Sequence, residues 1–378
     1  MNEYQGESYI AMSNIIKVGI YPEPLSCLSK MGKQHFMTWW EEFNNNKIIF
    51  SIYNPKEKYD MIIDCTDGAK LYPHIYLKCI TQKQILIHYM WESPLHKNYS
   101  QENSKKLKNI YDYIITWDDD LSDDNTYYSF KYPCFNEKYY DKSILNQDEY
   151  ESKKLLVMIN SYIAMNYESA LYMERIKIVN FFEEYNIFDL YGRGWNQYKD
   201  LKNYKGSPEN KYEVYKNYKF AFCLENYYGR AGYITEKIFD AFMAGIVPVY
   251  KGASNISDYV PEDTFIDYDN FTCLEHLIKY LENIPLEEYN QYLSNINDYL
   301  NSDKVKVFSK KTHIFSICGI IENIYAKGRI TRSFLTKCCA IFKILPNIFD
   351  YIYKHTRINA NPNLIVFLKR IKTAVLKK

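Results

Sequence analysis

Apolar residues fall along the chain in short blocks rich in β-branched and aromatic side chains, each bounded by turn formers. NIIKVGIY (14–21), KIIFSIY (47–53), YDMIIDC (59–65), QILIHYMWE (84–92) and YDYIITWD (111–118) each predict a buried strand. Segments between them, such as LSKMGKQHFMTWWEEF, have helical composition. The polar stretch LNQDEYESKK (145–154) has no apolar period and reads as a linker. The pattern then restarts: KLLVMIN (154–160) as strand, YESALYMERIKIVNFFEEY (167–185) as helix and IFDLYGRG (187–194) as strand and turn. YKFAFCLEN (218–226) and VPVYKG (247–252) predict strands around a helix TEKIFDAFMAG (235–245), and helices continue to about 326. Alternating strand and helix predicts an α/β fold with parallel sheets covered by helices.

The length of 378 residues suits two such domains. The expected division is 1–150, 151–326 and a tail, 327–378. That tail holds twelve Lys and Arg against one acid, Asp350. Phe334, Leu335, Cys338, Ile341, Phe342 and Leu345 follow a helical stripe, as do Leu364, Phe367, Leu368, Ile371 and Val375. Basic amphipathic helices of this kind lie on anionic membrane surfaces, or pack on the body with a solvated basic face. The expectation is a cytoplasmic protein, peripheral on the inner face of the cytoplasmic membrane. No signal peptide or spanning run is legible. The whole-chain charge of +1 gives no pull toward nucleic acid. Nine scattered cysteines with no C-x-x-C pair argue against a disulfide framework and a structural zinc site. The 40 tyrosines read as composition bias.

The candidate chemistry lies at strand ends, where open α/β sheets hold their ligands. The strand FAFCLEN ends in Glu225 and Asn226, the loop YYGRAG follows, and Thr235 is placed to cap the next helix. Glu236 and Lys237 fall in its first turn. Glu236 suits the positive end of the helix dipole, whereas Lys237 is mildly unfavourable there. Such a cost points to an anion nearby, and a solvated lysine is the plainer alternative. In WESPLH (91–96), Glu92 stands at another strand end and reads either as a loop-capping residue or as a general base.

YKFAFCLENYYGRAGYITEKIFDAFMAGIVPVYKGASNISDYVPEDTFID closely resembles the signature of glycosyltransferase family 10, the α-1,3/4-fucosyltransferases. MWESPLH and ERIKIVNFFEEYNIFDLYG are similar to two further segments of that family, in a form resembling its bacterial branch. The resemblance implies the GT-B architecture, two Rossmann-like domains facing a cleft with the nucleotide on the C-terminal one. It implies an inverting transfer of L-fucose from GDP-β-L-fucose to a glycan hydroxyl, in α-1,3 or α-1,4 linkage, with no cofactor required. Acceptors containing N-acetylglucosamine or glucose, as in lipopolysaccharide, are the expected partners. Carried over residue by residue, Glu92 looks like the general base, and Arg175 and Lys237 like ligands of the diphosphate. Glu225, Asn226, Tyr233 and Glu236 look like other donor-site residues.

Two other readings remain at this stage. Asp118 and Asp120 in WDDDL form a D-x-D pattern that holds a divalent ion in GT-A transferases. A non-catalytic glycan-binding protein on a transferase fold is the second, against which the joint presence of Glu92, Arg175, Asn226, Glu236 and Lys237 argues. The G-x-G of YGRGW (191–195) lacks a third glycine and reads as a turn carrying Arg193 near the nucleotide.

Overall fold

A computed structural model describes residues 15–21, 47–65, 73–95, 101–135 and 144–345. LSKMGKQHFMTWWEEF, His96 and the second tail stripe lie outside the described residues. The predicted strands form as β1 (Ile16–Tyr21), β2 (Ile48–Ile52), β3 (Met61–Asp64), β4 (Ile85–Met90) and β5 (Tyr113–Thr116). A short β6 (Tyr127–Ser129), which no sequence block announced, completes a sheet of order β2-β1-β3-β4-β5-β6. β7 (Lys154–Ile159), β8 (Phe188–Tyr191), β9 (Tyr218–Leu224), β10 (Val247–Lys251) and β11 (Ile266–Asp267) form a second sheet, β11-β10-β9-β7-β8. Its recorded pairings are all parallel. β8 and β9 lie on opposite sides of β7, so the chain reverses direction of winding at the carboxyl ends of β7 and β9. That switch point is where a doubly wound sheet opens a crevice.

The chain divides into two compact units. One is drawn from segments up to Met90, Lys106–Ile114 and from Cys318 onward; the other comprises Trp91–Lys105 and Ile115–Ile317. These units differ from the contiguous ranges read from sequence, because bonds far apart in the chain tie the segments together. In the first unit Arg332 pairs with Asp112 and Arg329 Nη1 donates to Ile80 O at 3.0 Å. Tyr113 OH donates to Gly328 O at 2.7 Å. The early tail is therefore bound to the body, although Phe334 (80%) and Leu335 (75%) remain exposed. No helix among the described residues is long and apolar enough to cross a membrane.

The stretch read as a linker instead forms a capped helix, Gln147–Ser152. Asn146 Oδ1 accepts from Glu149 N at 3.0 Å, and Glu149 Oε2 accepts from Asn146 N at 2.8 Å. Buried Tyr150 anchors it by donating to Ile284 O at 2.6 Å.

The helix Glu236–Met243 lays Ile238, Phe239, Ala241, Phe242 and Met243 into the core beside β9 and β10. Truncating either Phe to Ala there costs about 3–5 kcal/mol. The helix stops at Gly245 (φ 70°), which the left-handed geometry favours. Ile246 N bonds Ala241 O and Gly245 N bonds Phe242 O, the paired bonds of a Schellman stop.

Candidate active site at the ends of β7 and β9

β9 delivers Glu225 to a fully buried position just beyond its last residue. A buried carboxylate must be bonded. Its Oε1 accepts from Thr235 N at 2.8 Å, and its Oε2 from Thr235 Oγ1 at 2.7 Å and from Lys237 Nζ at 3.2 Å. Thr235 does occupy the cap position, but its hydroxyl serves Glu225 rather than a helix N–H. Glu225 is thus the anion that the sequence position of Lys237 called for. It was expected among the donor-binding residues; in the structure it is fully buried, with Thr235 and Lys237 as its hydrogen-bond partners.

Lys237 Nζ also contacts Thr235 Oγ1 at 2.9 Å and Glu236 Oε1 at 3.3 Å. Burial would lower the Lys237 pKa, but Glu225 and Glu236 outweigh it and the net shift is upward. Lys237 is therefore a fixed cation. Glu236, with its side chain 54% exposed, has its carboxyl held down to about 2: desolvation opposes this, and Lys237 and Lys211 prevail. Its contact is the exposed one of the three and the easiest to exchange for another anion.

Arg175, in the helix Tyr172–Phe181, is 3% exposed. Its Nη2 donates to Leu224 O (2.7 Å), Glu225 O (2.8 Å) and Asn226 Oδ1 (2.9 Å). The guanidinium braces the strand end and fixes the Asn226 amide, a job that the reading of Arg175 as a phosphate ligand did not include. Arg175 Nε and Asn160 Oδ1, which follows β7, are buried without a hydrogen-bond partner among the described residues. Unpaired buried polar atoms at the switch point are the mark of a place completed by a ligand or water.

Half-buried Glu92 follows β4 in the sequence. Its carbonyl accepts from Trp117 Nε1 at 3.0 Å. The Trp117 ring meets buried Tyr233 edge-on at 5.0 Å, and the Tyr233 hydroxyl bonds Ser93. Burial raises the Tyr172 pKa; Arg175 and Lys237 pull it down and Glu92 pushes it up. One phenol therefore feels all three charged groups singled out as base and donor cations. Tyr172, Trp117 and Ser93 were not identified from sequence. Trp117 and Ser93 flank the motifs that were, which is the only signal that pointed to them.

The D-x-D reading is corrected. Asp118 is fully buried and accepts from Arg230 Nε at 2.8 Å and from Nη2 as well. Asp120 is exposed, and its backbone N–H caps Asp118 Oδ1 at 3.1 Å. The Asp118 carboxylate is thus committed to Arg230, and no cluster of three or more His, Cys, Asp or Glu fit for a metal occurs among the described residues. The YGRGW turn packs over the end of β7: Tyr162 N donates to Arg193 O at 2.8 Å and Trp195 Nε1 to Asn160 O at 2.6 Å.

Residues 150–337 match the family model described as glycosyltransferase family 10 (fucosyltransferase) C-term. An α-(1,3)-fucosyltransferase, FucT, of Helicobacter pylori is 23% identical over 356 residues, 82% of this chain and 66% of its own length. The chain spans two thirds or less of the length of the first curated relatives it matches. A crystal structure of an α1,3-fucosyltransferase superposes with TM-score 0.54 at 16% identity, covering 84% of this chain and 93% of the other. One solved with GDP-fucose gives 0.51 at 14% identity, covering 86% and 95%. At these identities the structural likeness carries the fold, which is GT-B.

Proposed function

Because the chain belongs to glycosyltransferase family 10, we propose that it transfers L-fucose from GDP-β-L-fucose to a hydroxyl of an acceptor glycan. The observation that carries this reading is the gathering of Arg175 and Lys237 on Glu225 at the end of β9, beside the unpaired Arg175 Nε and Asn160 Oδ1. The relative of known donor and the family model agree with it.

In this reading Glu92 takes the proton of the acceptor hydroxyl as that oxygen attacks the anomeric carbon. The new C–O bond forms on the face opposite the departing phosphate oxygen, so the β-linked donor gives an α-linked product. The broken bond leaves GDP with the electron pair. Lys237 exchanges its exposed Glu236 contact for a diphosphate oxygen and keeps Glu225. Arg175 adds its buried charge from behind Asn226. Fixed cations stabilise a leaving diphosphate without reorganising at the moment of transfer, so no metal is needed. Asn226, Tyr233 and Glu236 line the donor.

The proposed acceptor is a glycan containing N-acetylglucosamine or glucose, joined through an α-1,3 or α-1,4 bond. Peripheral contact of the basic tail with an anionic membrane surface is part of the same proposal, supported by exposed Phe334 and Leu335 among basic residues. The test is GDP release from GDP-fucose with and without acceptor sugars, followed by linkage analysis of the product. Acceptor-dependent release and an α-fucosylated product are expected. A purified, folded protein that binds glycans yet releases no GDP with any acceptor would support the non-catalytic alternative.

A further inference from the structure

The WDDDL segment has no part in the reaction described above, yet its first two carboxylates are extensively bonded. Asp118 holds Arg230 of the YYGRAG loop. Asp119 accepts from Tyr259 OH (2.7 Å), Asn255 Nδ2 (3.1 Å) and Ser129 Oγ (3.3 Å), and pairs with Lys131. Asn255 in turn accepts from Gly232 N at 2.8 Å, and Asp119 N donates to Ala231 O at 3.4 Å. Gly232 has φ +80°, and a Cβ on it would lie 2.3 Å from Trp117 O. Residues 117–119 and 230–232 are thus fastened together along three consecutive positions on each side.

Trp117 is the residue this fastening positions, and it touches both halves of the chemistry. Its Nε1 holds the Glu92 carbonyl, and its ring abuts Tyr233, whose phenol senses Lys237. A buried ion pair contributes little net stability compared with apolar residues of the same shape, so its use here points to register rather than strength. From these contacts we propose that Asp118 and Arg230 are positioning residues of the transfer. Through Trp117 they fix the backbone that carries Glu92 relative to Tyr233 and Lys237. A base displaced by about 1 Å costs roughly 100-fold in rate, so a rigid strut has a direct kinetic return. The inference rests on Glu92 as the base.

The test uses the full chain with both charges removed together, Asp118→Asn with Arg230→Met, so that no buried ion is left unpaired. The expected result is a folded enzyme whose GDP dissociation constant stays within about two-fold of wild type while kcat at saturating substrates falls about 30–100-fold. Added to Glu92→Gln, the same pair of changes should cost no further rate. If the paired variant does not fold, Trp117→Phe, which removes the indole N–H and keeps a ring, carries the same expectation. A folded variant with near-normal kcat, or one whose kcat and GDP affinity fall together, overturns the proposal. So does an undiminished further loss in the Glu92→Gln background. If Glu92→Gln alone is nearly fully active, the base assignment has failed and takes this inference with it. If Glu92→Gln is inactive and the paired variant is normal, only the strut has failed.

Discussion

Lys237 Nζ lies 3.2 Å from Glu225 Oε2, a carboxylate with no solvent exposure. The pair explains how a lysine is kept in the first turn of a helix, where the dipole disfavours it. Glu225 cancels the local cost, Thr235 completes the cradle, and the ammonium is held at the helix entrance with one exchangeable contact.

Replacing Lys237 should therefore act on the donor before it acts on the acceptor. Lys237→Ala is expected to weaken GDP binding about 10–100-fold, the range for a lost charge-assisted hydrogen bond. Because it also strands buried Glu225, thermal melting of the same protein must accompany the calorimetry. An unchanged dissociation constant in a folded variant refutes the donor role.

The pairing of Asp118 with Arg230 makes a chelation prediction. Activity in excess EDTA should equal that in buffer alone. A loss restored by Mn²⁺ or Mg²⁺ would show that a metal takes part in transfer after all.

Asp240 offers a pH test independent of the chemistry. Burial pushes its carboxyl up to about 6 from an ordinary 3.8, with Lys211 and Tyr212 opposing. The folded state thus holds a proton that the unfolded state has lost between those values. Stability should fall as pH rises from about 4 to 6 and stay lowered above it, by at most about 3 kcal/mol. Asp240→Asn should flatten that limb and melt higher than wild type at pH 7. A melting difference that does not change with pH contradicts the assignment.

The basic tail makes a membrane prediction. Removing 346–378, with its second basic stripe, is expected to reduce sedimentation with phosphatidylglycerol vesicles. Removing everything from Lys327 should also lower the melting temperature, because the Arg329 and Arg332 bonds to Ile80 and Asp112 are lost. Equal vesicle binding by the full and the 345-residue chains would count against membrane contact.

Much of this was legible in the sequence where a signal is local. Nine of the strands followed from apolar blocks, β6 and the two-residue β11 being the exceptions, and YITEK placed a helix start on Glu236 and Lys237. The helix at Gln147 could have been read as well, since Asn146 followed three residues later by Glu149 is a capping-box pattern. β6 spans three residues and the helix Lys211–Tyr215 five, too short to show a period. Asp118 and Arg230 stand 112 residues apart, and nothing local in WDDDL distinguishes a buried partner of arginine from a metal ligand or a solvated acid. The duties of Arg175 and Thr235 were hidden for the same reason: residue type gave the charge or hydroxyl, but only the fold says which group it meets.

Under the proposed function Glu92 acts as a base on the same site that Lys237 serves, a role checked by single-turnover fucosyl transfer with Glu92→Gln, alongside its GDP dissociation constant. Turnover should fall about two to four orders of magnitude with GDP affinity within about two-fold of wild type; near-normal transfer by the purified variant would contradict the account.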